Sequence, residues 1–243
     1  MVTGLSLSGQ ERELVWEENF DGNRLDEENW TIETGDGCPK LCGWGNNERQ
    51  IYTTDNHELK SGFLYITAKK TGDQYTSTRI SSKKKREFQY GKIEIRAQLP
   101  LGKGLWPAFW MLGSNRDEVG WPKCGEIDIL EYVGKEPEHI FTSLHTPDSH
   151  GSTINTKKDI LEGIEEGFHT FAIDWTEEHI EFLVDGESFY TFSPEHKDEN
   201  TWPFDQPFYI LVNLAIGGNF GGPDVDDSIF PQEFVIDYIR VYQ

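Results

Sequence analysis

The stretch His179-Ile-Glu-Phe-Leu-Val-Asp-Gly-Glu-Ser-Phe-Tyr-Thr-Phe192 carries the clearest signal for the fold of this 243-residue chain. Apolar and polar residues alternate on both sides of Asp185-Gly186, as in strands that bury one face. Asp-Gly is also a preferred pair for the two-residue type I′ turn of a hairpin. We therefore predict two antiparallel strands that meet at this turn.

Strand-like runs of the same kind recur along the chain, with turn residues between them. The ten runs span 14–17, 63–69, 91–99, 105–112, 126–133, 168–175, 179–184, 189–192, 209–215 and 234–242. Segments without a regular pattern lie at 33–50, 113–123, 146–167, 193–207 and 217–232, and loops on a rigid scaffold commonly build binding sites. The pattern predicts an all-β fold of two stacked sheets with a loop-lined binding face.

The length and the even composition indicate one domain over residues 1–243, since β sandwiches of this size are common. We expect residues 1–12 to be a flexible end or an addition from cloning. They contain neither a basic start nor an apolar core of a signal peptide. Either a signal peptide has been removed or none existed, so the expectation of secretion must rest on function.

The chain carries a formal net charge of −21, from 43 acidic and 22 basic residues. Such a charge repels nucleic acid and other polyanions, so we expect a neutral partner. No run of about 18 apolar residues suggests a membrane span. Nothing in the sequence indicates an obligate assembly, and we expect a monomer.

The three cysteines are Cys38, Cys42 and Cys124. Cys38 and Cys42 lie in a Gly- and Pro-containing stretch that can close a small disulfide loop or stay reduced, and the sequence leaves both open. Paired ligand spacings for structural zinc are absent among the seven histidines.

The segment Gly125-Glu-Ile-Asp-Ile-Leu-Glu131 gathers three acids on one strand. Strand alternation places Glu126 and Asp128 on one face, with Ile127 and Ile129 on the other. Glu131 would point away unless a β-bulge near Ile129-Leu130 absorbs one residue. We predict that bulge, which returns Glu131 to the acidic face.

Three crowded carboxyls suit glycoside hydrolysis, which needs one carboxylate and one protonated acid. Mutual repulsion raises the pKa of at least one of them and keeps a proton available. A solvated acidic face or a calcium site remains an alternative from the spacing alone.

Aromatic residues accompany this strand. Trp106 and Trp110 share one face of a predicted strand, and Trp121 precedes Glu126 by five residues. Indole rings offer flat apolar faces on which sugars stack, although burial in the core is the commoner use of tryptophan. Asn46, Asn47 and Arg79 are further candidates, as donors to hydroxyl groups.

Taken together, five segments resemble glycoside hydrolase family sixteen, with the Glu-x-Asp-x-x-Glu spacing of its laminarinase-like members. These are Gly43-Trp-Gly-Asn-Asn-Glu-Arg-Gln50, Tyr90-Gly-Lys-Ile-Glu-Ile-Arg96, Leu105-Trp-Pro-Ala-Phe-Trp-Met111, Trp121-Pro-Lys-Cys-Gly-Glu-Ile-Asp-Ile-Leu-Glu131 and Phe234-Val-Ile-Asp-Tyr-Ile-Arg-Val-Tyr242. The resemblance implies a concanavalin-like jelly-roll sandwich with a concave cleft. It implies retaining endo-hydrolysis of β-1,3-glucan, with mixed 1,3-1,4-glucan as a second substrate.

The resemblance also implies roles for individual residues. Glu126 matches the nucleophile, Asp128 the residue that tunes it, Glu131 the general acid/base and His145 a cleft histidine. No cofactor is implied for catalysis. A structural Ca²⁺ is implied at the side chain of Asp237 and at the backbone carbonyls of Glu18 and Gly62. Cys124 is expected to be a small buried neighbour of the catalytic strand.

Two alternatives stay open. A galactan hydrolase of the agarase type shares the bulged signature, and a glucan-binding lectin can share the fold without catalysis. The intact glutamates favour an enzyme, and the absence of a basic cleft disfavours highly sulfated galactans.

Overall fold

The computed structural model describes residues 12–243 and is built almost entirely from β-strands. The predicted flexible or cloning-derived end, residues 1–12, lies outside the described residues except for Arg12. The strands are β1 (Leu14–Glu18), β2 (Thr31–Glu33), β3 (Gln50–Tyr52), β4 (His57–Lys60), β5 (Phe63–Thr71), β6 (Gln74–Ser77), β7 (Arg79–Ser81), β8 (Glu87–Phe88), β9 (Gly91–Gln98), β10 (Leu105–Gly113), β11 (Glu126–Tyr132), β12 (His139–His145), β13 (Thr156–Ile160), β14 (His169–Trp175), β15 (Ile180–Val184), β16 (Glu187–Phe192), β17 (Phe208–Ile216) and β18 (Gln232–Tyr242).

Helical structure is limited to single turns in the described residues. These are α1 (Arg116–Val119), α2 (Gly218–Gly221) and two 3₁₀ turns at Cys42–Gly45 and Asp227–Ile229. None of them has the length and hydrophobicity of a membrane-spanning helix.

The strands form two sheets, as the sequence predicts. The back sheet has the order β16-β15-β14-β9-β18-β5-β6-β3, with β1 also paired to β18 and β4 to β5. The cleft sheet has the order β13-β12-β11-β10-β17-β7-β2, with β8 also paired to β17. Neighbours are antiparallel except β3 and β6. The predicted all-β fold of two mainly antiparallel sheets is confirmed.

The hydrophobic core lies between the sheets. In the back sheet it receives alternate residues such as Leu64 and Ile66 of β5, and in the cleft sheet Phe109 and Met111 of β10. β17 adds Phe208, Ile210, Val212, Leu214 and Ile216. Burial of this apolar surface holds the sheets together and leaves the other face of the cleft sheet for polar and aromatic side chains.

The hairpin at Asp185-Gly186 is confirmed. Asp185 has φ 50° and Gly186 has φ 82°, the two positive values that a type I′ turn requires, and they connect β15 to β16. The carboxylate of Asp185 also accepts a hydrogen bond from the backbone N–H of Thr170, which ties the turn to β14.

The predicted bulge in β11 is also confirmed. Trp110 lies opposite Asp128 and Phe109 opposite Leu130, so Ile129 is the extra residue against β10. On the other edge, the register with β12 shifts between Asp128 and Glu131. Ile129 and Leu130 both enter the core, and Glu131 returns to the outer face.

Five strands of the cleft sheet were not predicted, namely β2, β7, β8, β12 and β13. The first three are only two or three residues long, which is too short to show a period. β12 carries five consecutive buried residues, Ile140 to Leu144, so its sequence shows no alternation. β13 is an edge strand with mostly exposed residues, within a segment predicted to be irregular. Strands that are buried on both faces or exposed on both faces lack the period of two on which the prediction depends.

Cys38 and Cys42 form a disulfide, which settles the alternative that the sequence left open. The bond closes a short loop before the 3₁₀ turn at Cys42–Gly45. Cys124 is a free, buried thiol next to β11, as predicted.

Gly134, just after β11, should not tolerate a side chain. A Cβ at this position would lie 1.8 Å from the backbone oxygen of Gly102, and its N–H donates to the carbonyl of Leu105. We expect Gly134→Ala to lower the free energy of unfolding by about 1–3 kcal/mol or more, as overpacking does. Denaturant unfolding measures this. Gly221→Ala, whose added Cβ would meet its nearest neighbour at an ordinary 3.4 Å, is the matched control. Equal stability of both variants would contradict the packing argument.

Candidate active site

A groove crosses the outer face of the cleft sheet. Its walls come from β7, β10, β11 and β17 and from the loops that precede β3 and β11. The lining residues are Leu41, Trp44, Gly45, Asn46, Glu48, Arg79, Trp106, Ala108, Trp110, Leu112, Arg116, Trp121, Glu126, Asp128, Glu131 and Asn213. The three acids and three tryptophans singled out from the sequence are all among them.

The three carboxyls stand on the groove side of β11 because of the bulge. Glu126 lies opposite His145 of β12, Asp128 opposite Trp110 of β10, and Glu131 opposite Ala108. The side chains of Glu126 and Asp128 are only 18% and 6% exposed. The hydroxyl of Thr142 donates to the backbone carbonyl of Asp128 and fixes the strand at the bulge.

Burial raises the pKa of all three carboxyls. It brings the pKa of Glu126 to about 8 and that of Asp128 to about 7, and raises that of Glu131 well above its usual range. Repulsion from Asp128 adds to the rise at both glutamates, while His145 opposes it. A hydrogen bond between Glu126 and Asp128 raises the pKa of Glu126 further and lowers that of Asp128. The cluster therefore retains protons at neutral pH.

His145 lies beside the first two acids. Its Nε2 is 3.1 Å from Oδ2 of Asp128 and 3.8 Å from Oε1 of Glu126. The ring of Trp121, which is 42% exposed, is 5.8 Å from the imidazole and 5.3 Å from the ring of His150. This places Trp121 on the open side of the carboxyl cluster, where a ligand can reach its face.

Trp106 is more buried than a stacking platform requires, at 9% exposed. Its indole N–H donates to Oε1 of Glu131 at 3.1 Å, which favours the ionised form of that acid. Phe220 packs edge-on against the indole at 5.4 Å. The position of Trp106 thus serves mainly to orient Glu131.

Arg79 and Trp110 form another part of the wall. The Arg79 guanidinium lies 4.9 Å from the ring centre of Trp110 and 4.5 Å from that of Trp44. Its Nε is 2.6 Å from a carboxylate oxygen of Glu33. The N–H of Trp110 donates to Asn213 at 2.7 Å. These contacts join the loop of Trp44 to the sheet.

The two predicted asparagines have different surroundings. Asn46 lines the groove and its amide donates weakly to Glu48 at 3.4 Å. Asn47 is exposed, does not line the groove and donates instead to the side chain of Asn219 at 2.8 Å. Asn47 therefore connects the loop to α2 rather than facing a ligand.

Several groove residues were not among the predicted site residues. Glu48 accepts hydrogen bonds from Gln50 and Tyr52, and burial raises its pKa. Asn213 could have been found, since it is the single strongly polar side chain within the buried run of β17. Trp44 and Leu41 reach the groove from an irregular loop, and loop sequence gives no periodicity to follow.

The three residues predicted to hold calcium lie close together along β18. β9 pairs with one edge of β18, and β5 and β1 share the other edge. On that shared edge, β5 pairs with β18 as far as Ile236, and β1 pairs with it from Ile239 onwards. Asp237 falls at the gap between them, next to Glu18 at the end of β1 and Gly62 in the turn before β5. The donors are oxygens, which suit Ca²⁺, but Arg96 already pairs with the carboxylate of Asp237.

The crowded acids should cost stability as pH rises. The folded pKa of Glu131 is raised, so the folded state binds this proton more tightly than the unfolded chain, and stability falls as pH rises from about 4.5 towards the folded pKa. We expect Glu131→Gln to remove this loss. The melting temperature of the variant minus that of the wild type should therefore increase by several degrees from pH 5 to pH 8. Calorimetry across this range measures the difference. Glu118→Gln, at an exposed position outside the cluster, controls for the lost charge. A difference that does not change with pH would contradict the argument.

Comparison with known proteins agrees with this geometry. Residues 45–240 match the sequence profile of "Glycosyl hydrolases family 16". A laminarinase from Flavobacterium sp. UMI-01, whose crystal structure is known, is 66% identical in sequence to this chain. The two structures superpose with a TM-score of 0.94, over 95% of this chain and 100% of the laminarinase chain. A β-glucanase from Rhodothermus marinus is 38% identical over 100% of this chain and 92% of its own length. A glucan endo-1,3-β-glucosidase from Cryptopygus antarcticus is 37% identical over 93% of this chain and 90% of its own length. The profile covers most of the chain, and the chain therefore belongs to glycoside hydrolase family 16, with the jelly-roll sandwich expected of it.

Proposed function

We propose that this protein is an endo-1,3-β-glucanase that cleaves laminarin-type glucan with retention of configuration. The observation that carries the proposal is the cluster of Glu126, Asp128 and Glu131 on one bulged strand, within a groove walled by tryptophans. The names of the similar proteins support the same substrate.

In the first step, the Glu126 carboxylate bonds to the anomeric carbon while the glycosidic C–O bond breaks. Glu131 gives its proton to the leaving oxygen. Burial provides that proton near neutral pH, because it raises the pKa of Glu131. The indole N–H of Trp106 holds the carboxyl in place and stabilises the anion that forms.

In the second step, the ionised Glu131 takes a proton from water, and the water oxygen bonds to the anomeric carbon. The ester bond to Glu126 breaks and returns its carboxylate. Two inversions at the same carbon give net retention of configuration.

Asp128 and His145 set the charge state of the nucleophile. The hydrogen bond with Asp128 favours the protonated form of Glu126, so Glu126 must lose that proton before it attacks as an anion. His145, at 3.1 Å from Asp128, and the indole of Trp121 favour the charged form of Glu126. We assign positioning roles to Asp128 and His145.

The groove suits a neutral polymer. Its wall combines aromatic rings with amide and carboxyl groups, which match the apolar faces and hydroxyls of pyranoses. It draws residues from four strands and two loops, so it fits a chain rather than a single sugar and supports internal cleavage. We extend the proposal to mixed 1,3-1,4-glucan as a second substrate. The net charge disfavours sulfated polymers and nucleic acid.

We also propose that the protein works outside the cell as a monomer. A glucan polymer cannot enter a cell intact, and a disulfide such as Cys38–Cys42 persists in oxidising compartments. The groove and its carboxyls are complete within one chain.

Hydrolysis of laminarin should release short oligosaccharides whose new reducing ends are initially β, as followed by proton NMR. Parallel assays with lichenan and agarose decide between the proposed linkage and a galactan substrate. Binding of laminarin without release of any sugar would instead support a lectin.

Variants of the two glutamates separate their roles. We expect Glu126→Ala and Glu131→Ala each to lower turnover by about 10³-fold or more. With an activated aryl glucoside and azide, Glu126→Ala should form the α-azide by direct attack, and Glu131→Ala the β-azide through the glycosyl enzyme. Glu118→Gln is the matched control. The opposite pair of anomers would reverse the assignment.

We propose that Ca²⁺ binds at Asp237, with the backbone carbonyls of Glu18 and Gly62, as a structural ion. Its binding must displace Arg96 from the carboxylate, so we expect modest affinity. Millimolar Ca²⁺ should raise the melting temperature by several degrees above that in chelator, and Asp237→Ala should abolish the gain. Asp174→Ala, which also removes an arginine-paired acid of the back sheet, is the control. An equal gain in both variants would contradict this site.

A further inference from the structure

We propose that Glu126, Asp128 and His145 form a binding site for a divalent transition-metal ion such as Zn²⁺, which inhibits the enzyme. The binding is independent of the proposed function, whereas the inhibition rests on it. The site differs from the calcium site in place and in chemistry, because it lies in the groove and includes a nitrogen ligand.

The spacing of the ligand atoms fits such an ion. One atom from each of the three side chains lies within 4.8 Å of the others. Nε2 of His145 is 3.1 Å from Oδ2 of Asp128 and 3.8 Å from Oε1 of Glu126. Two ligands of a tetrahedral ion with bonds of about 2.0–2.2 Å are roughly 3.3–3.6 Å apart. Small side-chain rotations would bring these atoms to that separation.

A second observation is independent of the spacing. Asp128 is only 4% exposed, and its Oδ2 accepts no well-aligned hydrogen bond in the described structure, although Nε2 of His145 lies 3.1 Å away. A buried carboxylate oxygen without a hydrogen bond is unfavourable, and a cation would compensate it. His145 is held at the facing position by its pairing with Glu126 across β11 and β12.

The ligand types select the class of ion. One imidazole with two carboxylates suits zinc, copper, nickel and cobalt, whereas calcium and magnesium prefer oxygen ligands in larger number. Three protein ligands leave a fourth position towards the groove, as in open zinc sites. That position would take water.

Such an ion would block the groove at the proposed nucleophile. The carboxylate oxygen of Glu126 that bonds to the metal cannot bond to the anomeric carbon, and the metal-bound water occupies space for the sugar. Inhibition should therefore be competitive with glucan and reversed by a chelator.

Zinc binding is measured by isothermal titration calorimetry on the full chain, without reference to activity. We expect a site in the wild type whose affinity falls at least about 100-fold in His145→Ala, the upper range for loss of an outer-shell partner. Asp128→Asn, which keeps the side-chain shape, should show the same loss. His150→Ala and His179→Ala, which remove histidines outside the cluster, should bind as the wild type does.

Cobalt provides a second readout that does not depend on the variants folding. Co²⁺ bound to the wild-type protein should show the intense visible bands of a four- or five-coordinate ion, and Zn²⁺ should displace it. The proposal is overturned if the wild type binds neither metal. It is also overturned if His150→Ala or His179→Ala abolishes binding, or if folded His145→Ala and Asp128→Asn bind like the wild type. If zinc binds as expected but glucan is not cleaved, the hydrolase assignment fails while the metal site stands.

Discussion

The packing of Ile129 and Leu130 into the core is the interaction on which the site depends. Two consecutive side chains enter the same apolar layer, so the strand must use two residues where its partners use one. This shift carries Glu131 back to the face of Glu126 and Asp128. The free energy that holds the acidic cluster together is thus hydrophobic, and it acts on the face of β11 opposite to the acids.

The cluster itself opposes folding. Burial and mutual repulsion raise the pKa of three neighbouring carboxyls, which means that their charged forms are less stable in the groove than in water. The surrounding contacts limit that cost, with the indole of Trp106 on Glu131 and the imidazole of His145 near Asp128. Sites that need an acid and a base side by side commonly accept such a loss of stability.

The sequence predicted the parts of the molecule that have a regular period or a strict turn requirement. The Asp185-Gly186 hairpin follows from alternation and from residue type alone. The bulge in β11 follows from alternation together with the expectation that Glu131 joins the other two acids. β12 could not be predicted in the same way, because both of its faces are buried, nor could Leu41 and Trp44, which reach the groove from a loop. Asn47 shows a further limit: its residue type suits a ligand donor, but only the three-dimensional structure shows its amide bound to Asn219.

The arrangement of Arg79 between Trp44 and Trp110 affects more than the shape of the wall. Its guanidinium contacts both rings and the carboxylate of Glu33, so these side chains restrain one another. A ligand that binds there gives up little additional protein entropy, and more of the contact free energy appears as affinity. This part of the groove acts as a rigid template, against which the more flexible polysaccharide chain adjusts its own torsion angles.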